Sequence, residues 1–309
     1  MAARSGIATQ LGAKAETTWG TAVVVDTFIP LVTESLGIDP NNRVESNATL
    51  AGRRIISSEA WAPGNKVVGG DLGLELPTNS TIARLLLEHM LGTVSGSGPY
   101  TYTPGDLYGK GLTLQVGVPG VDGTVRTKTY EGSKFNTWEI AWSAGEIVTL
   151  GLGVIAEDEV TNTALASASY ASGAATPFYA TRATATIAGT TVNVKQGTLS
   201  GDNKLGRRYF GGSTLTSEPI EEERREYTGT LQLEFTDLTQ YARFTGGTEF
   251  AVVVTFATAS TTSIVLTFNA RAEGETPKVG GRGIIDQPFP FKAVGTSSDA
   301  TGLTIVYTA

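Results

Sequence analysis

Apolar and polar residues alternate along most of this chain, and a period of two is the mark of strands with one buried face. The alternation predicts strands at Val23–Val32, Val67–Leu76, Leu112–Val118, Trp138–Ile155, Ala183–Val194, Tyr227–Phe235, Phe250–Ala257, Ser263–Ala270 and Leu303–Tyr307. Trp138–Ile155 is long enough for two strands, and the small residues from Ser143 to Glu146 suit a hairpin turn in its middle. Ala188 to Thr190 suits a second hairpin.

Two stretches carry a helical period instead. After Pro77, Asn79 or Ser80 can cap an amphipathic run from Thr81 to Leu91 that stops at Gly92, with Ile82, Leu85, Leu86 and Met90 on one face. The second runs from Asp237, a cap, to Phe244 before Gly246 and Gly247, with Leu238, Tyr241 and Phe244 on the buried side. The whole therefore reads as an all-β dominated fold with one or two short helices.

Each helix directly follows a similar strand, which points to an internal pseudo-repeat. Gly70 to Leu76 resembles Gly229 to Phe235, 159 residues on, and in both copies a cap, a helix and a glycine stop follow. In each strand the Leu and Phe positions share one face. Asp71, Gly73 and Glu75, or Thr230, Gln232 and Glu234, share the other. The expected organisation is a single domain over 1–309 made of two halves, about 1–160 and 176–309. An Ala, Ser and Thr-rich linker, 161–175, reads as a flexible connection between them.

Two long stretches lack a clear period, and such loops commonly serve function or assembly. Asp39–Asn65 carries Arg43, Glu45, Arg53, Arg54 and Trp61. Gly197–Arg225 carries Arg207, Arg208, Glu222 and Arg224. The charge run from Glu221 to Glu226 reads either as a solvated face or as ion pairing to a neighbouring subunit. These nine residues are the candidate inter-subunit contacts.

Composition narrows the chemistry. Thr (45) and Gly (38) together make up about a quarter of the 309 residues, which favours strands and turns over helices. The absence of Cys excludes thiolate zinc sites, disulfides and a Cys nucleophile, and a single His excludes a multi-histidine metal cluster. The net charge of −7 argues against tight binding to a phosphate backbone. No stretch approaches 18 consecutive apolar residues, and Met1 to Gly12 lacks the apolar run of a secretory signal, so synthesis in soluble form in a cytoplasm is expected.

The remaining motifs are weak. Gly151 to Ala156 fits G-x-G-x-x-A, but the glycines sit within an alternating strand and not in a strand-to-helix turn, so no dinucleotide cofactor is expected. His89, on the first helix, reads as structural, and a Ser-His-Asp site would have to use it. Glu157 and Asp158 could serve glycoside hydrolysis in principle, but adjacent acids in a turn are usually solvated. No catalytic residue, cofactor or metal is expected.

The run from Gly12 to Thr21, the strand to Pro30 and the Arg-bearing loop open a pattern that continues in Gly69-Gly70 with its Leu-rich strand. It runs on through the helix ending at Leu91-Gly92 and, in the second half, Tyr227-Thr228-Gly229. Over nearly the whole chain it resembles the major tail tube proteins of long-tailed bacteriophages, of the non-contractile siphophage type. The resemblance implies two packed β-sheets with a flanking helix, assembled as homo-hexameric rings that stack into a tube for DNA delivery, with one sheet per subunit joined into a barrel around the lumen. It implies the virion tail as location. As partners it implies other copies of the chain and the tape-measure, distal tail and tail terminator proteins; viral DNA passes without specific binding, and no membrane is involved. On this reading Asp39–Asn65 is an arm onto a neighbour. Asp71, Glu75, Gln232 and Glu234 become candidates for the lumen, whose lining is expected to be rich in Asp, Glu, Thr and Gly. The rival expectation is a bacterial surface or secreted β-sandwich adhesin or carbohydrate-binding module, which should show an export signal or an aromatic platform. A glycoside-processing enzyme is a third reading.

Overall fold

A computed structural model describes residues 5–39, 43–47, 54–55, 58–274, 284–296 and 302–309. The first half contains β1 (Gln10–Ala15), β2 (Thr27–Ile29), β3 (Thr33–Glu34), β4 (Gly37–Ile38), β5 (Arg43–Glu45), β6 (Trp61–Pro63), β7 (Val68–Glu75) and α1 (Ser80–Leu91). It continues with β8 (Gly92–Ser95), β9 (Tyr100–Pro104), β10 (Leu112–Pro119), β11 (Val125–Ser143), β12 (Thr149–Ala156) and β13 (Asp158–Val160). The second half contains β14 (Thr184–Ile187), β15 (Thr190–Val192), β16 (Val194–Asp202), β17 (Leu205–Arg208), β18 (Ser217–Glu221) and β19 (Glu226–Glu234). After α2 (Thr239–Gly246) come β20 (Phe250–Ala257), β21 (Ser263–Ala272), β22 (Asp286–Ala293) and β23 (Leu303–Thr308). The fold is all-β dominated, and the strand pairings among the described residues are all antiparallel.

One layer runs β3/β4, β7, β12, β11, β16, β19, β22. Against it stand two ladders, β2, β1, β10, β11, β13 and β15, β14, β20, β21, β23, β9, β8. The long strand β11 serves both layers, its first part beside β10 and its second beside β12. Between the layers lies one core in which aromatic rings cross from strand to strand, Trp142 of β11 meeting Phe256 of β20 edge-on with centroids 5.1 Å apart.

The pairing scheme of the first half recurs in the second. β1 pairs β10, β10 pairs β11, β11 pairs β12, β12 pairs β7, and β3/β4 flank β7. Likewise β14 pairs β20, β20 pairs β21, β21 pairs β22, β22 pairs β19, and β16 flanks β19. The register recurs as well. Thr33 faces Gly73 as Gln196 faces Gln232, Gly37 faces Gly69 as Ser200 faces Thr228, and Thr149 faces Glu75 as Asp286 faces Glu234.

The two halves are tied through the end of α1. Asn79 caps its start, its side chain accepting from the amides of Thr81 and Ile82. At the other end the buried Asn203 of the second half donates to the carbonyls of Met90 and Phe135, and Arg225 donates to those of Leu91 and Gly105. Two of these carbonyls, Met90 and Leu91, are ones that the end of the helix leaves without an intrahelical partner.

Several expectations need correction. Only Thr27–Ile29 of Val23–Val32 is strand, because Val23 donates to the Thr113 hydroxyl and not to a ladder, leaving Val24 exposed. Gly197–Arg225 is not irregular: it completes β16 and then forms the hairpin β17–β18. The second helix begins at Thr239, with Asp237 accepting from its amide, but no residue of it is buried, and Leu238 and Phe244 are exposed. The 161–175 stretch is tied down. The Gln10 and Gln115 side chains donate to the carbonyls of Ala166 and Ala164, and Tyr170 packs on Phe28.

Candidate functional site

The layer from β7 to β22 has two unlike faces because alternate residues point opposite ways. Inward lie Leu72, Leu74, Leu150, Leu152, Trp138, Ile140, Leu199, Leu231 and Phe291, all buried. Outward, the register lines up polar and small residues in rows. One row reads Gly73, Gly151, Glu139, Ser200, Thr228, Lys292, and the next reads Glu75, Thr149, Ala141, Thr198, Thr230, Pro290. A third reads Asp71, Gly153, Thr137, Asp202, Glu226. Glycines flatten this face and open a shallow depression lined by Asp71, Gly73, Glu139, Gly151, Gly153 and Asp202.

The face is acidic, and its lysines are engaged. Lys195 bridges Asp286 (2.6 Å) and Glu234 (3.2 Å), Lys204 bridges Asp202 (2.8 Å) and Glu226 (3.5 Å), and Lys292 pairs with Glu226. The two lysines beside Glu226 hold its carboxyl below the usual range. Asp71, Glu75 and Glu139 have no cation among the salt-bridged pairs of the described residues. Asp71, Glu75, Gln232 and Glu234 thus share one surface. Glu139, Asp202, Glu226 and Asp286 join them, although no short motif marks them. Glu139 could have been read from the alternation of its own strand. Asp286 lies in a stretch whose Pro288 and Pro290 hide its strand character.

The candidate contact residues divide. Arg43, Glu45 and Trp61 lie on the hairpin β5–β6, where Glu45 faces Trp61 and every residue is exposed. Arg54 is exposed, and Arg53 lies outside the described residues. Glu222 and Arg224 are exposed beside the half-buried Arg225. Arg207 and Arg208 turn inward: Arg207 donates to the carbonyls of Val68 and Ala156, and Arg208 to that of Glu218. Their guanidiniums join parts of one chain, because the hairpin β17–β18 folds back over the ends of β7 and β12.

Glu157 and Asp158 are not a solvated pair. Asp158 binds Lys66 at 2.8 Å. Glu157 follows β12 with one carboxylate oxygen buried and unpartnered, facing the carboxyls of Glu16, Glu131 and Asp158. Burial first, then these neighbours, pushes its pKa up from 4.5 to about 7. Between pH 4.5 and 7 the folded chain therefore binds more protons than the unfolded chain, so stability falls as pH rises through that window. Chemical denaturation of the wild type should show a loss of about 2 kcal/mol from pH 4.5 to 7.5 that Glu157→Gln removes.

His89 is buried, with Nδ1 2.8 Å from the Leu85 carbonyl, and burial lowers its pKa; among the described residues no hydroxyl is bonded to it. Gly151 and Gly153 lie within β12. Among the described residues no group of three or more His, Asp or Glu side chains could hold a metal ion. No helix there is long and apolar enough to cross a membrane.

A family model described as phage tail tube protein matches residues 6–293. No curated protein matches the chain.

Proposed function

Because the chain belongs to the phage tail tube protein family, we propose that its copies close side by side into rings that stack as the tube of a long, non-contractile phage tail. The family places the protein in the virion tail with a structural role. The observation that supports the channel reading is the wide polar face of the β7–β22 layer. Its Thr, Ser and Gly rows carry acids, and its lysines are neutralised by neighbouring carboxylates. Turned to the lumen, this face offers a phosphate backbone no free lysine among the described residues, so DNA slides without being held. The hairpin β5–β6 suits an arm on a neighbouring copy, since an isolated two-stranded hairpin is marginal in water and gains stability from a covering partner. Tape-measure, distal tail and terminator proteins complete the tail on this reading, and no catalytic step is involved.

Six chains per ring is the expectation from the family. The repeated pairing favours a second count: if each half is one copy of the same strand unit, three chains supply six units. Electron microscopy of the purified protein over a concentration series tests both. Rings or hollow tubes support the reading, and end-on averages distinguish three chains from six. A persistent monomer that binds glycans would favour the adhesin.

Glu75→Lys with Glu139→Lys would place free cations on the face. Tails built from this variant are expected to release DNA at least tenfold more slowly at low salt and to recover as salt is raised, measured by dye-reported ejection. Unchanged ejection would count against a channel-facing orientation.

A further inference from the structure

The recurring register identifies where one copy joins the next. Within the chain the two halves meet edge to edge: β16 pairs β19 on one side and, on the other, residues Thr137–Ser143 of β11, seven pairs in all. The counterpart of β16 in the first half is β3/β4, because Thr33, Glu34, Gly37 and Ile38 stand against β7 in the register that Gln196, Gly197, Ser200 and Gly201 hold against β19. One side of β3/β4 is occupied by β7, which also receives the amides of Val32 and Ser35, while the Asp39 amide donates to the Val67 carbonyl just before it. No strand pairs on the other side among the described residues, and Val32, Thr33, Ser35 and Asp39 are exposed there.

We propose that the outer edge of Thr33–Ile38 is the joining edge, and that it receives the opposite end of the same layer, beyond β22, from a second copy of this chain. The junction repeats between chains what β11 and β16 make within one. The geometry is strand addition, in which main-chain hydrogen bonds supply the affinity. It also removes an open edge that would otherwise pair indiscriminately. The far end of the layer is open as well: β22 pairs β21 through Phe291–Ala293 and its Pro290 carbonyl accepts from the Glu273 amide, leaving the outer side of Asp286–Phe289 without a strand among the described residues.

The proposal rests on the ring reading above, and its test separates the two. Hydrogen exchange read by mass spectrometry compares free chain with assembled rings. The amides of residues 33–38 are expected to slow at least tenfold on assembly. In parallel, Glu34→Pro removes an amide from the edge, whereas Glu34→Ala removes the same side chain and keeps the amide. The proline variant should need at least a tenfold higher concentration to form rings than the alanine variant, with both folded by circular dichroism. Rings that form while 33–38 exchange as fast as in the free chain overturn the edge assignment alone. If Glu34→Pro fails to fold, the exchange comparison on the wild type decides by itself. A wild type that forms no rings even when seeded with tail initiator overturns the assembly reading and the edge with it.

Discussion

Glu218→Ala is expected to destabilise the folded chain by about 3–5 kcal/mol, because it strands a buried ammonium. Lys134 on β11 is almost fully buried, and its Nζ lies 2.5 Å from Glu218 Oε1, 2.8 Å from the Leu107 carbonyl and 3.2 Å from the Pro219 carbonyl. The same carboxylate accepts from the amide of Gly109, so one ion pair holds the 104–110 loop and the hairpin β17–β18 onto β11. Burial lowers the Lys134 pKa, and Glu218 opposes that shift. Without Glu218 the folded-state pKa falls further below 10.5, the unfolded chain binds more protons, and stability of the variant rises with pH in the alkaline range. Urea denaturation at pH 7 and 9.5 checks both points: a variant within 1 kcal/mol of wild type at pH 7 would show that the pair is dispensable. Lys134→Met, which removes the charge and keeps the volume, should cost less than Glu218→Ala.

The second large effect is expected at Trp138, the largest side chain that is almost wholly buried. Trp138→Ala should cost about 3–5 kcal/mol by leaving a cavity at the centre of the layer. The site is shaped from both sides: the ring tilts against Tyr227 at 6.0 Å, and Gly201 opposite has no room for a side chain, since a Cβ there would lie 2.3 Å from ring atoms. Gly201→Ala alone should therefore cost about 1–3 kcal/mol. Combined with Trp138→Ala it should cost less than the two separate losses added, because removing the indole removes the clash and the added methyl fills part of the cavity. Thermal and urea melts of the three variants measure this. Strict additivity would mean that the residues do not share space.

The strands of β7, β10, β12, β19, β20, β21 and β23 could be read from the chain, since each sets large apolar residues at alternate positions between smaller or polar ones. Strands with small or proline-bearing sequences were hidden. β1 reads QLGAKA, and β22 reads DQPFPFKA. They form because a neighbour supplies the ladder, not because their own side chains prefer it. The first helix was legible through its cap, its face and its terminal glycine. The second was legible as a helix but not in its burial: none of its residues is buried among the described residues, and Phe244 is exposed.

The candidate face shows the same limit. Local alternation sorts Asp71 and Glu75, or Gln232 and Glu234, to the polar side of their own strands, and that much belongs to the sequence, as do the all-β class, the deficit of basic charge and the lack of thiol chemistry. Which strands stand side by side is not local. The packing of one shared core, against the entropy cost of closing the intervening chain, brings β7 next to β12 and β16 next to β11, across separations that no short-range period encodes. Only that tertiary pairing gathers Glu139, Asp202, Glu226 and Asp286 onto one surface and sets lysines between them. It also turns Arg207 and Arg208 inward and buries Glu157 among carboxylates. A residue's side of a strand is settled by its neighbours two positions away, but its surroundings are settled by whichever strand the fold places beside it.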